Sequence, residues 1–431
     1  MSDESVRDAL GLQPSAQAAD LPLRDSDEIQ GNIFAGFNKD HVQFLFLQMT
    51  DRAQGRAYLL ALLPRIATTR QVTTFNAQFS NARRLRGGDD PTNLTAVWVN
   101  VGLTHAGMLA VAPGLRPDLR DFTAFRDGAA ARAPFNADTG LSDPSRWLFG
   151  ASDQAPIHII LTVAADDPTD LEGEIARQRA LAAQHGVLVV FEQRGETLPD
   201  GRAGHEHFGF RDGISQPGIK GYHPINPDKP GERLGHPGTE MIEAGEFVIG
   251  LTNESGAPMP APDWMTNGSF QVFRRLSQDV PGFWAQVLRN AAAISGISAD
   301  ALAAKLVGRW RSGTPLAHAP DRDNRSARDA EEDNNFTFDD DPIGVMTPLF
   351  AHIRKMYPRD HERHGDRFHR MLRRGIPFGE PFDPANGRGH GVDADRGLLF
   401  NVFQASIEQG FEFLQQAWAD NDTFPEAQTG P

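Results

Sequence analysis

Residues 156–191 read PIHIILTVAADDPTDLEGEIARQRALAAQHGVLVVF. Pro156–Ala164 is apolar and rich in β-branched side chains, which suits a central strand. Asp170–Gln184 opens on Thr-Asp, carries acid in its first turn and closes on His185-Gly186, the marks of a helix. Val187–Phe191 then returns as strand. Upstream, Thr95–Leu103 (TAVWVNVGL) has the same central-strand character. His41–Met49 alternates Val42, Phe44 and Phe46 on one side and runs into a helical stretch, Ala53–Ile66. Ile29–Phe37 before it also has strand character. From His41 onward the order is strand, helix, strand, strand, helix, strand, the split βαβ plan of a ferredoxin-like domain.

The second half repeats the plan less clearly. Phe247–Leu251 and Ser269–Arg274 read as strands, Gly282–Ile294 and Ala299–Trp310 as helices. Leu398–Ala405 (LLFNVFQA) is a buried strand leading into an amphipathic helix, Ile407–Trp418. Pro224–Pro237 is a surface excursion. Thr314–Asp341 is a long polar loop, whose acidic run Glu331–Asp341 lacks the sharp-turn glycine of a calcium loop. The expected architecture is α+β: two ferredoxin-like domains, each an antiparallel sheet flanked by helices. Residues 1–27 form a polar leader, 28–200 the N-terminal domain and 201–431 the C-terminal one, with the boundary between Gly195 and Gly204.

A chain of 431 residues is long enough for two such cores, and 39% hydrophobic with 23% charged residues is ordinary for a globular protein. The formal charge of −15 argues against a nucleic-acid partner, which wants a basic stripe. No apolar run reaches the ~20 residues of a membrane span. No export signal is readable at the N-terminus, so a cytoplasmic location is expected, a removed leader being the alternative. The absence of cysteine removes disulfides, iron–sulfur clusters and thiolate catalysis together.

The stretch most suggestive of chemistry is His207-Phe-Gly-Phe-Arg-Asp-Gly-Ile-Ser-Gln-Pro-Gly-Ile219. It sets Asp212 between Gly209 and Gly213 in an otherwise apolar run. Glycines let a backbone approach a flat ligand closely, and a carboxylate partly withdrawn from water becomes a usable acid or base. Alone, the same residues read equally well as a type I′ hairpin on Asp-Gly. Three further segments bear on the choice. LFAHIRKMYPR (349–359) puts His352 in an apolar stretch just before Arg354 and Lys355. MLRRGIPFG (371–379) runs Arg373 and Arg374 into a glycine turn. DRGLLF (395–400) places Asp395 at the entrance of a buried strand.

In these four segments the chain resembles the dye-decolourising peroxidases, a haem family. GFRDG with the following ISQPG matches that family's G-x-x-D-G signature. AHIRKMYPR is similar to the segment of its axial histidine, and RRGIPFG to that of its distal arginine. EIQGNIFAGFNKDHVQFLFL, GRWRSGTPL and DRGLLFNVFQASIEQGF extend the likeness from about residue 27 to 418.

The resemblance implies haem b (iron protoporphyrin IX) held in the second half, between sheet and helices. His352 would be the fifth ligand to iron. Asp395 would accept a hydrogen bond from its far nitrogen, and Arg354 would pair with a propionate. Asp212 and Arg373 would lie on the opposite face, with Gly213, Ile214 and Gln216 against the cofactor. Arg373 is preferred to Arg374 because the family's arginine stands two residues before the position of Gly375.

The implied reaction is reduction of hydrogen peroxide coupled to one-electron oxidation of bulky aromatic reductants such as dyes and phenolics. Asp212 would shuttle the proton and Arg373 stabilise the leaving hydroxide. An aspartate base implies an acid-side optimum, roughly pH 3–6. Trp264, Trp284, Trp310, Trp418, Tyr222 and Tyr357 are the aromatic side chains weighed as electron relays, none preferred. The rivals are a haem storage or iron-release protein using the same His352, a cofactor-free scaffold, and a zinc hydrolase built on His361 and His364. The last lacks the i, i+4 histidine spacing of a helical zinc site. Oligomeric state is not legible.

Overall fold

In the computed structural model, which describes residues 21–323, 329–382 and 394–426, strand β1 (His41–Met49) is buried on both faces from Phe44 to Leu47. Its period of two sends Leu45, Leu47 and Met49 to one side and Val42, Phe44 and Phe46 to the other. The first set packs on Tyr58 and Leu62 of α1 (Arg52–Leu62). It also meets Leu171, Ile175 and Ala182 of α3 (Pro168–Gln184). Between these helices in sequence lies α2 (Thr69–Leu85), which opens on a capping box of Thr68 and Gln71. With β2 (Val97–Leu103), β3 (Ile159–Ala165) and β4 (Val187–Glu196), β1 forms an antiparallel sheet of order β2-β3-β1-β4. That is the ferredoxin-like order.

The second sheet is built on β8 (Gly397–Gln404), paired antiparallel along its whole length with β5 (Phe270–Ser277). On its other edge β8 takes two short strands, β6 (Leu372–Arg373) and β7 (Ile376–Phe378). Helices α4 (Val280–Ala293) and α5 (Ala299–Val307) follow β5. The sheets face each other through phenylalanines: Phe273 of β5 lies 4.7 Å from Phe44 and 5.3 Å from Phe46 between ring centres. Ile376, Phe378 and Leu399 complete this core. Each such side chain contributes about 1.5–3 kcal/mol on burial, so the two halves share a core. The α+β expectation of two ferredoxin-like units holds.

Several local expectations do not. Ile29–Phe37 is not a strand: Gly31–Phe34 is a helical turn whose four residues are all buried. Burial on every side erases the periodicity that separates helix from strand in a short apolar run. The turn is closed by Arg374, which donates to the carbonyls of Asn32, Ile33 and Phe34. Phe247–Leu251 is also not a strand, because the N–H groups of Phe247 and Val248 both return to the carbonyl of Ala244. The closing helix is present but widened, with π-type turns at Glu408–Glu412 and Leu414–Ala419. The acidic run before Asp341 is not simply solvated, since Asp333, Asn334 and Asp341 are buried. Of the leader, residues 1–20 lie outside the described residues, and Pro22–Asp25 is a 3-10 turn tied to Tyr222 through Arg24. Among the described residues no helix is long and apolar enough to cross a membrane.

Candidate active site

The loop carrying Asp212 is stapled by the residue before the quoted stretch. The Glu206 carboxylate accepts the N–H groups of Phe208 and Phe210 at 2.8 and 2.9 Å and Nε2 of Gln278 at 2.5 Å. Burial, the leading cause, raises its pKa against these bonds. Phe208 and Phe210 pack on Phe283 and Trp284 of α4. The chain then turns through Gly209 (φ 98°) and Gly213 (φ 78°), left-handed values that favour glycine. One isolated bridge, His205 to Arg211, stands where a hairpin ladder would be. Asp212 is held by its own N–H on Gly204 O at 2.8 Å, and Oδ1 accepts from Gly213 N at 2.6 Å.

His352 is the first residue of α6 (His352–Met356). The helix is pinned on three sides. Gly308, at φ 94°, lies so close to Ile353 that a Cβ could not be accommodated. Lys355 Nζ donates to the carbonyls of Ala419 and Asn421 at 3.0 and 2.8 Å. Arg354 is buried against Asp341 and Thr347. The imidazole itself carries exposed surface, yet burial is the leading cause that lowers its pKa, followed by Asp212, which raises it, and Arg373, which lowers it. A ring crowded by protein yet open to solvent lines a hollow in the surface of the fold. Asp212 and Arg373 are near enough for their charges to act on the imidazole.

Arg373 and Arg374 are neighbours with opposite fates. Arg374 gives Nε and Nη2 to the carbonyls of residues 32–34 and Nη1 to Arg373 O; burial pushes its pKa down to about 10. Among the described residues nothing accepts a hydrogen bond from the Arg373 guanidinium. Gln216 holds the Arg373 main chain from the Asp212 loop, with Ile214 and Ser215 between Asp212 and Gln216 in the chain.

Two arginines unremarked in the sequence face the same loop. Arg359 reaches Ser215 Oγ at 3.5 Å and Asn334 Oδ1 at 2.6 Å, with burial pushing its pKa down to about 10. Arg370 reaches Ser215 O at 3.4 Å, and its Nη1 is buried without a partner. Both guanidinium groups lie over Tyr357, at 4.7 and 3.8 Å from the ring centre. Arg359 sits inside the quoted AHIRKMYPR segment, so the basic character of that segment was its only signal. Arg370 had none.

Two expected roles are redirected. Arg354 faces Asp341 rather than the hollow, because its guanidinium is enclosed by protein acceptors. Asp395 does not meet His352: both its oxygens take Arg275, its side chain is 68% exposed, and it is not among the charges acting on His352.

The donor set fits an iron porphyrin. A nitrogen ligand must be uncharged to bind metal, and burial shifts His352 in that direction. Buried cations demand anions, and the unpartnered Arg370 Nη1 with Arg359 beside it suits the carboxylates of such a group. Asp212 and Arg373 add a carboxylate and a guanidinium near the same imidazole.

Residues 28–198 match the family described as DyP dimeric alpha+beta barrel domain, and residues 251–427 that described as Dyp-type peroxidase, C-terminal. The chain is 30% identical to the dye-decolorizing peroxidase AauDyP1 of Auricularia auricula-judae, over 98% of this chain and 80% of that one. It is 30% identical to the multifunctional dye peroxidase DyP2 of an Amycolatopsis species, over 93% and 82%. Its fold is similar to a solved ancestral D-type dye-decolorizing peroxidase, with TM-score 0.77, 32% identity, and coverage of 95% and 86%.

Proposed function

The chain belongs to the dye-decolourising peroxidase family, whose members are haem enzymes, and from that premise we propose that His352 would hold the iron of haem b, with Asp212 and Arg373 as the catalytic pair. Bound haem would supply the redox centre that gives two electrons to peroxide and regains them, one at a time, from the reductant. The carboxylate of Asp212 takes the proton from one peroxide oxygen and returns it to the other. The Arg373 guanidinium, charged at every working pH, stabilises the negative charge that collects on the departing oxygen. In balance, one hydrogen peroxide and two phenolic or dye hydrogens give two waters and two organic radicals. Arg359 and Arg370 would hold the carboxylates of the cofactor, and Gln216 keeps the Arg373 main chain in place.

One observation carries this reading: Asp212 and Arg373 both lie near enough to His352 for their charges to act on its imidazole, and Gln216 ties the Asp212 loop to Arg373. A haem carrier has no need of an acid–base pair at that place. The test is an absorbance spectrum of haem-loaded protein before and after one equivalent of hydrogen peroxide. His352→Ala should lose or disorder the haem. Asp212→Asn should retain it and react with peroxide more slowly by about 10²–10⁴. Equal rates for Asp212→Asn and the parent protein would favour the storage or iron-release role instead.

A further inference from the structure

The guanidinium of Arg354 is one of the most completely enclosed charges in the molecule, at 4% exposure, and Asp341 opposite it is 5% exposed. Nη1 donates to Thr347 O at 2.8 Å and to Asp341 Oδ2 at 3.3 Å, and Nη2 donates to the main-chain oxygen of Asp341 at 2.8 Å. The ring of Phe338 lies against the same group, 4.5 Å from its centre. Asp341 is in turn the hub of its own loop. Oδ1 accepts from Val345 N at 2.6 Å, and Oδ2 accepts from Thr347 N at 2.7 Å and Met346 N at 3.1 Å. One carboxylate thus folds residues 341–347 into a collar, and the collar closes on a side chain two positions from His352. The helix so gripped, His352–Met356, is barely more than a turn. Helices that short have little stability of their own, so the direction of the imidazole depends on outside anchors.

We propose that Asp341, acting through Arg354, is the positioning residue for His352, fixing the turn that aims the imidazole into the hollow. This rests on His352 being the axial ligand. It assigns to an internal ion pair the orienting task that a carboxylate on the far imidazole nitrogen performs elsewhere. The pair never touches the cofactor; its effect passes through the main chain of residues 351–354. Its removal leaves the ligand present but loosely aimed.

The test uses haem-loaded full-length protein carrying Asp341→Asn or Arg354→Lys. Three quantities are read: the rate of haem transfer to excess apomyoglobin, the ferric electron paramagnetic resonance spectrum, and amide hydrogen exchange over residues 350–356 with and without haem. Asp341→Asn should release haem about tenfold faster or more and show mixed axial ligation. Exchange should accelerate at 350–356 in the haem-free protein too, while β1–β4 keeps its protection. Arg354→Lys, which retains the charge but cannot reach both carbonyls, should show the same pattern more weakly. Unchanged haem release and an unchanged ferric spectrum would overturn the proposal. So would exchange accelerated evenly through the chain, or failure of both variants to fold, since the pair would then serve the fold at large. His352→Gly with and without added imidazole separates the two readings. If the parent ligand spectrum persists without imidazole, the axial assignment itself has failed; if it is lost and restored by imidazole, a normal Asp341→Asn sinks only the positioning role.

Discussion

Gln216 holds the main chain of Arg373 with both ends of its side-chain amide: Nε2 donates to the Arg373 carbonyl at 2.9 Å, and Oε1 accepts from the Arg373 N–H at 3.3 Å. The amide thereby takes the place of a neighbouring strand for one residue of β6 and joins the Asp212 loop to the arginine. Two hydrogen bonds of about 1 kcal/mol each maintain that register. Gln216→Leu is therefore expected to lower kcat/KM for peroxide by about tenfold or more, with haem content unchanged. Stopped-flow rates, normalised to haem absorbance, check it; parent-like kinetics would mean that the link is incidental.

The two adjacent arginines should separate cleanly. Arg374 closes a buried helical turn, and its loss leaves three carbonyls without their donor. Arg374→Ala is expected to cost about 2–4 kcal/mol in denaturant unfolding. Arg373→Leu should change stability by less than about 1 kcal/mol yet slow the reaction with peroxide by about 10²–10³. The opposite pattern would reverse their roles.

Arg359 and Arg370 as carboxylate holders can be tested on the ligand side. Haem dimethyl ester, which lacks both charges, should bind the parent protein about tenfold to a hundredfold more weakly than haem. In the Arg359→Gln, Arg370→Gln double variant that difference should largely vanish. A penalty that survives in the double variant would place the carboxylates elsewhere.

Acid sensitivity should owe much to His223. Its Nδ1 accepts the Ile219 N–H at 2.9 Å, and burial first, then Arg233 and Arg24, push its pKa down to about 2. The unfolded chain, with a value near ~6.5, binds the proton more readily. Stability is thus complete above that pH and is lost as pH falls from there towards 2. Between pH 7 and 4 the parent should lose up to about 3 kcal/mol relative to His223→Asn. Urea melts at the two pH values measure it, and equal losses in both proteins would exclude His223.

Much of the fold was legible in the chain. His41–Met49, Thr95–Leu103 and Pro156–Phe191 carry alternation, caps and β-branched runs that depend only on near neighbours, and each became the expected element. Where burial is uniform the pattern fades: Gly31–Phe34 and Phe247–Val248 are apolar all round and curl into turns. The helix Thr69–Leu85 has only Thr69 and Val72 buried, so its apolar stripe is faint and only its capping box marks it.

The amino-acid order by itself determined the strand and helix succession of the first ferredoxin-like unit, and it marked the segments around Asp212, His352 and Arg373, because those features are written in spacing along the chain. Which charge meets which was decided by the tertiary structure. Arg374 went to the turn at residues 32–34, Arg354 to Asp341 and Asp395 to Arg275, while the Arg373 guanidinium met no acceptor among the described residues and acts on His352. A buried guanidinium takes the acceptors that the packed fold brings to it, and those acceptors can lie hundreds of residues away.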